Sequence, residues 1–365
     1  GHGVPRHDGV RTPRYKLIHF YSVDEFNLFD LERDPPEMRS VHDDPAYAQV
    51  LADMTARYGL DYGADEIIVT AGAQEGIMLT MLGLCSPGDE VLITSPRFTS
   101  YDTAVRLCGG VPIPVPTFEK DDFALDVAEI EKRITPKTRM FVLVSPNNPT
   151  GAVTPPDAIR AIADLAIKHD ILVIADEIYA QLIYEPNEHL SIATLPGMRE
   201  RTLTLNGFSK TYSMTGWRVG YLGAPKDLVE MLTEPRHTLS INTSTISQYA
   251  ALAAVTGPQE PIEEMAAAYA ERRAWLMPAL DDAGFTYGHP GGAFYIYTNV
   301  SSTGLPSPDF CLRLLQETGV MLFPGRMFGD ETTDYIRISY LPPLPMIQEA
   351  MERITKFAEN ARAGS

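Results

Sequence analysis

Residues 140–179 read MFVLVSPNNPTGAVTPPDAIRAIADLAIKHDILVIADEIY. The run Met140–Val144 is apolar on both faces and ends in a turn of Asn, Pro and Gly. An amphipathic stretch, Pro155–His169, follows, and a second doubly apolar run, Ile171–Ala175, stops at an acid, Asp176. Two such strands with a helical crossover between them are the repeating unit of a parallel sheet covered by helices. The rhythm continues outward from this unit. Glu66–Thr70, Glu90–Thr94, Thr202–Leu205 and Val219–Gly223 predict further strands, and Ala73–Leu84 and Pro225–Glu234 further helices, with Pro225 where a first-turn proline is tolerated. The fold class is therefore α/β.

From about Pro258 the pattern changes. A long Ala/Glu-rich helix, Ile262–Ala283, leads into a strand at Ala293–Asn299, a helix at Asp309–Thr318, a strand at Tyr335–Tyr340 and a last helix at Leu344–Ala361. This reads as a second, smaller α+β domain. The first fifty residues follow neither rhythm: Gly9–Phe20 and Phe26–Leu31 predict an antiparallel hairpin, followed by the proline-rich, acidic stretch Glu32–Pro45.

Composition narrows the function classes. A chain of 365 residues with 44% hydrophobic residues has enough apolar surface for a sizeable core. Its 30 Lys and Arg against 48 Asp and Glu leave a net charge of −18, which opposes a phosphate-tracking nucleic-acid surface. No run approaches the ~18 consecutive apolar residues of a membrane span, and Gly1–Val10 lacks the charged start and apolar core of a signal peptide. Cys85, Cys108 and Cys311 form no CxxC pair and leave an odd count, unlike a secreted disulfide framework. A cytoplasmic protein with reduced thiols, without nucleic acid or membrane partners, is expected.

Five segments carry potential chemistry. Ser209-Lys210 lies in GFSKTYSMTGWR, where Lys210 follows an apolar strand and precedes Arg218. A lone lysine there is an ordinary surface cation, whereas an imine-forming lysine needs a depressed pKa and a cofactor phosphate nearby needs a fixed cation such as Arg218. Asp176, with Tyr179 three residues on, stands at a strand's carboxyl end, where open α/β sheets bind ligands; alternatively it is a helix cap. Ser145–Gly151 forms the turn after the preceding strand, in residue types that also make turns for backbone reasons alone. Ala71–Gly76 passes from strand to helix through small residues, either for tight packing or to hold a phosphate on exposed N–H groups. Arg337 sits in the apolar strand YIRIS, where it either faces water from an edge or offers a planar fork to a carboxylate.

In order and spacing these segments, NPTG, ADEIY, Ser209-Lys210 with Arg218, and RIS, resemble the fold-type-I pyridoxal-phosphate enzymes of the class I/II aminotransferase family, over roughly Ala56 to Ala361. The resemblance implies a three-layer, mostly parallel sheet with a smaller C-terminal α+β domain, divided as a large cofactor-binding domain at 55–283 and a small domain at 284–365. It implies that Lys210 forms the imine with pyridoxal 5'-phosphate and shuttles the substrate Cα proton, and that Asp176 pairs with the protonated pyridine nitrogen. Asn148 and Tyr179 would bond the phenolic oxygen. Arg218, Ser209 and the backbone at Ala73 and Gln74 would grip the phosphate, Phe98 would stack on the ring, and Arg337 would clamp the substrate α-carboxylate. The segment Ile241–Tyr249 resembles the part of the family that faces a partner subunit, which implies a homodimer. No metal is required.

The implied reaction moves an α-amino group between an amino acid and a 2-oxo acid. The same constellation also serves C–S and related lyases, and a cofactor-binding protein with impaired catalysis is a further alternative. Gly207 departs from the family pattern, in which a Ser or Thr three residues before the lysine contacts the phosphate. Arg97 could favour an acidic substrate side chain, although an exposed arginine at a helix start is the plainer expectation.

The family's front end, an arm and a segment that covers the substrate, has no counterpart here. Residues Gly9 to about Met54, which we assign to an N-terminal unit at 1–54, resemble instead the C-terminal tail of sulfatases, through GVRTPRYKLI and FNLFDLERDP. Sulfatase chemistry does not follow, because it requires a modified Cys or Ser in a C/S-x-P-x-R setting. The nearest string, Cys85-Ser86-Pro87-Gly88-Asp89, ends in Asp.

Overall fold

The computed structural model describes residues 59–329 and 332–364, together with the backbone of three N-terminal strands. Those strands, β1 (His7–Arg11), β2 (Tyr15–Phe20) and β3 (Glu25–Asp30), form an antiparallel sheet in the order β1-β2-β3. Three strands replace the two expected, because the stretch Gly9–Phe20 is shared between β1 and β2. The acidic stretch Glu32–Pro45 lies outside the described residues.

Seven strands make the main sheet: β4 (Ile67–Thr70), β5 (Glu90–Ser95), β6 (Val111–Pro116), β7 (Thr138–Val144), β8 (Leu172–Asp176), β9 (Thr202–Gly207) and β10 (Gly220–Gly223), in the order β4-β10-β9-β8-β7-β5-β6. β10 runs antiparallel to both its neighbours, and all the other pairings are parallel. Alternate residues of the central strands enter opposite cores. Val91, Ile93, Met140 and Val142 pack on one face with Ile77, Leu79 and Leu232, while Leu92, Phe141 and Leu143 pack on the other with Ile159, Ile162 and Ala166. This is the physical content of a three-layer α/β fold, in which helices cover a sheet that is apolar on both sides.

The covering helices are α1 (Ala73–Leu84), α2 (Ser100–Leu107), α3 (Val127–Glu131), α4 (Pro156–His169), α5 (Phe208–Thr211), α6 (Lys226–Leu239) and α7 (Thr245–Thr256), after which α8 (Glu260–Asp282) leads to a second core. Short α2 and polar-stripe-free α7 escape a periodicity reading. β6 escapes it through its prolines, VPIPVP. The amides of Val111 and Thr117 donate to Asp89 and Ser95 beside β5 at 2.8 Å, so the prolines fall at the alternate positions, as an edge strand tolerates. α6 runs past the expected end at Glu234, through Pro235, and is closed by the Ser240 and Ile241 amides on the Arg236 carbonyl.

A second, antiparallel sheet contains β11 (Thr286–Tyr287), β12 (Tyr295–Asn299), β13 (Phe323–Pro324) and β14 (Tyr335–Ser339), in the order β11-β12-β14-β13. Helices α9 (Ser307–Thr318) and α10 (Leu344–Ala363) pack on it with α8. Its core continues into Ile178, Tyr179, Leu182 and Tyr184, the segment that follows β8.

Candidate active site

The parallel strands end at one edge of the sheet, and the segments that leave β4, β5, β7, β8 and β9 carry the candidate residues other than Arg337, which comes from β14 of the second sheet. Asp176 closes β8 at 6% exposure. Its Oδ2 accepts from the Tyr101 hydroxyl at 2.8 Å and its Oδ1 from the Ile178 amide at 3.2 Å. Burial pushes its carboxyl above the ordinary range, with those two hydrogen bonds pulling the other way. No regular helix follows it, so the helix-cap alternative falls.

Lys210 is half-buried on α5, one short turn beyond β9. Its Nζ lies 5.9 Å from the Tyr179 ring centre and 5.6 Å from that of Phe294. Burial lowers its pKa, the positive charges of Arg337 and Arg218 lower it further, and Asp176 opposes them. This is an engaged lysine, not a surface cation.

Arg218 lies at the mouth of α1. Its guanidinium donates to the carbonyls of Thr215 at 3.0 Å and Ala71 at 3.3 Å. Gly72 makes that approach possible. Its φ is +82°, and a Cβ there would lie 2.5 Å from Arg218 Nη2. Ala73 and Gln74 open α1, where the first amides have no partner within the helix and the dipole favours an anion. Ser209 is half-buried beside Lys210.

Asn148 and Arg337 meet across the two sheets: Arg337 Nη1 donates to Asn148 Oδ1 at 2.8 Å. Gly151 closes the Asn148 turn at φ +72°, and a Cβ there would stand 2.6 Å from Pro290 Cβ. β14, which carries Arg337, is an interior strand rather than an edge. The guanidinium carbon lies 4.3 Å from the ring centre of Tyr295, 4.7 Å from Phe328 and 4.9 Å from Phe323, and Nε is buried without a hydrogen-bond partner. Burial draws its pKa down. The Tyr179 hydroxyl pairs with that of Tyr295 at 3.1 Å, and burial holds the Tyr179 phenol well above its usual value.

Phe98, in the segment between β5 and α2, is 37% exposed. Its neighbour Arg97 is not the exposed arginine expected. Arg97 is 8% exposed, and its Nε and Nη2 grip both carboxylate oxygens of Asp102 at 2.7 and 2.8 Å. The fork is committed inside the protein. Gly207 also has a physical reason: a Cβ there would press within 3.0 Å of Gly220 Cα and 3.2 Å of the Val219 carbonyl. Tyr101, Tyr295, Phe323 and Phe328 were not foreseen. Only Tyr101 had a signal, one helical turn after Phe98.

The model for aminotransferase class I and II matches residues 39–354, and the model for N-sulphoglucosamine sulphohydrolase, C-terminal, matches residues 1–60. The chain is 41% identical over 299 residues to aromatic-amino-acid aminotransferase 2 of Thermococcus litoralis, covering 81% of this chain and 77% of that protein. It is 41% identical over 293 residues to aspartate aminotransferase of Pyrococcus abyssi, covering 80% and 75%. Among solved structures, aromatic aminotransferase from Pyrococcus horikoshii superposes with a TM-score of 0.84 at 39% identity, covering 86% of this chain and 85% of that one. Thermus thermophilus aspartate aminotransferase with maleate gives 0.81 at 36% identity, covering 86% and 81%. Among the described residues no helix is long and apolar enough to cross a membrane.

Proposed function

The chain belongs to the class I and II aminotransferases, which depend on pyridoxal phosphate, and on that premise we propose how its own residues divide the work of moving an amino group between an amino acid and a 2-oxo acid. The residues present fit the cofactor. A buried carboxylate, a half-buried lysine of lowered pKa, and a glycine-lined cradle bearing Arg218 at a helix start match a pyridinium, an aldehyde and a phosphate. Pyridoxal phosphate supplies an electrophilic carbon and an electron-accepting ring.

Lys210 presents an amine that loses its proton more readily than an ordinary lysine, which makes it competent to bond the aldehyde and to carry a proton to and from the substrate Cα. Asp176, held on two sides by Tyr101 and the Ile178 amide, would pair with the pyridine nitrogen and hold a proton there. Arg218, Ser209 and the first amides of α1 at Ala73 and Gln74 would receive the phosphate. Phe98 would cover the ring. Asn148 accepts from Arg337 through Oδ1, which leaves its amide NH₂ as the donor that, with Tyr179, would hold the phenolic oxygen. Arg337 takes the α-carboxylate, for which its buried, unpartnered Nε is a waiting donor.

The observation that carries this reading is the convergence on Lys210 of Arg337, Arg218 and Asp176, contributed by three separate parts of the chain. A spectroscopic titration with pyridoxal phosphate, followed by a panel of amino-acid donors, tests it. Saturable binding and donor-dependent conversion of the bound cofactor are expected, and failure of the Lys210→Ala variant to be fixed to the cofactor by borohydride.

The same reading extends to a homodimer, supported by the exposed apolar side chains Leu107, Leu239 and Ile246 and checked by light scattering. It extends to a cytoplasmic location, supported by three free thiols. A boundary near residue 284 is supported by the two sheets falling on either side of it.

A further inference from the structure

We propose that the partly buried pair Arg97–Asp102 is a positioning clasp that sets the wall of the substrate-carboxylate site; the inference rests on the reading of Arg337 as the carboxylate clamp. Arg97 spends its fork on Asp102 and gives Nη1 to Ser95 Oγ at 3.0 Å, so its side chain is anchored within the segment from β5 to α2. A bidentate pair fixes geometry more tightly than a single contact, and side-chain exposures of 10% and 14% keep water from loosening it. Asp102 also stands in the first turn of α2, where a negative charge is favoured by the helix dipole.

What the clasp holds is the backbone. The Arg97 amide donates to the Phe328 carbonyl at 2.8 Å, and Thr99 Oγ1 donates to the Met327 carbonyl at 3.2 Å. Both bonds cross from the seven-stranded sheet to the turn Gly325–Phe328, which hangs from the second sheet. That turn has little slack. A Cβ on Gly325 would lie 2.1 Å from the Thr332 carbonyl oxygen and 2.6 Å from that of Tyr335, and the Tyr297 hydroxyl donates to the Gly325 carbonyl at 3.3 Å. A displaced Phe328 carbonyl therefore carries its ring with it, and that ring is one of the three against the Arg337 guanidinium. Phe98, between Arg97 and Thr99, is held by the same two bonds. One partly buried ion pair thus ties the aromatic wall of the carboxylate site to the segment that bears the cofactor-covering ring.

The test uses Arg97→Gln, Asp102→Asn and the double variant, each in the full chain. In the cofactor-free protein, hydrogen exchange of the Gly325–Gly329 amides should quicken in both single variants, although neither substitution lies in that segment. With cofactor loaded, the apparent affinity for amino-acid donors, read from the cofactor absorbance, should fall by about tenfold, since small misplacements of binding groups are costly. Affinity for pyridoxal phosphate should change far less. The double variant should be no worse than the poorer single one, because both members serve one clasp, and Arg97→Lys, which keeps the charge without the fork, should not restore the donor affinity. Lowered thermal stability with unchanged exchange at 325–329 would make the pair merely structural and overturn the proposal, as would unchanged donor affinity. If Arg97→Gln does not fold, Asp102→Asn decides, since it leaves Arg97 in place. Arg337→Lys is run alongside: unchanged donor affinity there would remove the clamp reading alone, while the exchange result still judges the clasp.

Discussion

The Tyr101 hydroxyl donates to Asp176 Oδ2 at 2.8 Å from a ring with no exposed surface. The bond reaches from α2, one turn after Phe98, to the end of β8. It joins the group proposed to hold the pyridine nitrogen to the helix that follows Phe98, in a place where water cannot substitute.

Tyr101→Phe therefore leaves a buried carboxylate short of one donor. The cost of such an unsatisfied group is about 1–3 kcal/mol. Urea denaturation of the cofactor-free protein at neutral pH should show that loss, and an unchanged midpoint would mean that the bond contributes nothing.

Asp176→Asn should act in opposite directions on folding and on turnover. The Asp176 carboxyl has a raised folded pKa, caused first by burial, so the folded state holds its proton more tightly than the unfolded state does. Stability then falls as pH rises from about 4 through the folded value, and stays lowered above it. The asparagine variant should be at least as stable as the parent at neutral pH, and should lose that advantage toward pH 4. Its turnover should drop by roughly tenfold to a hundredfold, the rate equivalent of a lost charged hydrogen bond of ~1.5–3 kcal/mol. Parallel denaturation and kinetic series against pH check both halves.

For Lys210 the sign reverses. Its pKa is lowered by burial and then by Arg337 and Arg218, so the unfolded state binds the proton more tightly. Stability rises with pH from the depressed folded value up to about 10.4, the ordinary lysine value. In the absence of cofactor, Lys210→Met should be more stable than the parent at neutral pH, and the gap should close in alkaline buffer. Peptide mapping after borohydride reduction should find no cofactor on the variant; attachment at another lysine would displace Lys210 from its role.

Arg337→Lys keeps a positive charge but loses the planar fork and its stacking against Tyr295, Phe328 and Phe323. The apparent affinity for amino-acid donors should fall by about tenfold to a hundredfold, as expected for a lost charge-assisted bond, while cofactor affinity persists. Steady-state kinetics and cofactor titration on one preparation separate the two.

Gly151→Ala places a Cβ 2.6 Å from Pro290 Cβ at a φ of +72°. The left-handed backbone alone costs roughly 1–2 kcal/mol, and the contact adds to it. Denaturation should report a loss above 2 kcal/mol, and donor affinity should also suffer, because the same turn holds Asn148 against Arg337.

Much of this was legible before any coordinates. Asp176, Lys210 and the Asn148 turn each stand just past an apolar run. Parallel strands deliver all their carboxyl ends to one edge, so the order of these motifs along the chain already placed them together. What escaped was of two kinds. β6 and α2 were too proline-rich or too short for a periodic signal. Arg97 was expected to be exposed because nothing local marks the fork it forms with Asp102 five residues later.

The sequence by itself determined the α/β alternation, the doubly apolar strands that demand two covering layers, and the residue types at the strand ends, because burial pattern and turn chemistry are local properties of the chain. Only the tertiary structure decided that Arg337 lies among three aromatic rings and against Asn148, that Tyr101 completes Asp176, and that Gly207 cannot easily be a serine. The physical reason is distance along the chain. Arg337 and Asn148 are separated by 189 positions, and Tyr101 and Asp176 by 75, so their contacts depend on how one sheet packs against the other and how α2 crosses the first, which no local period encodes.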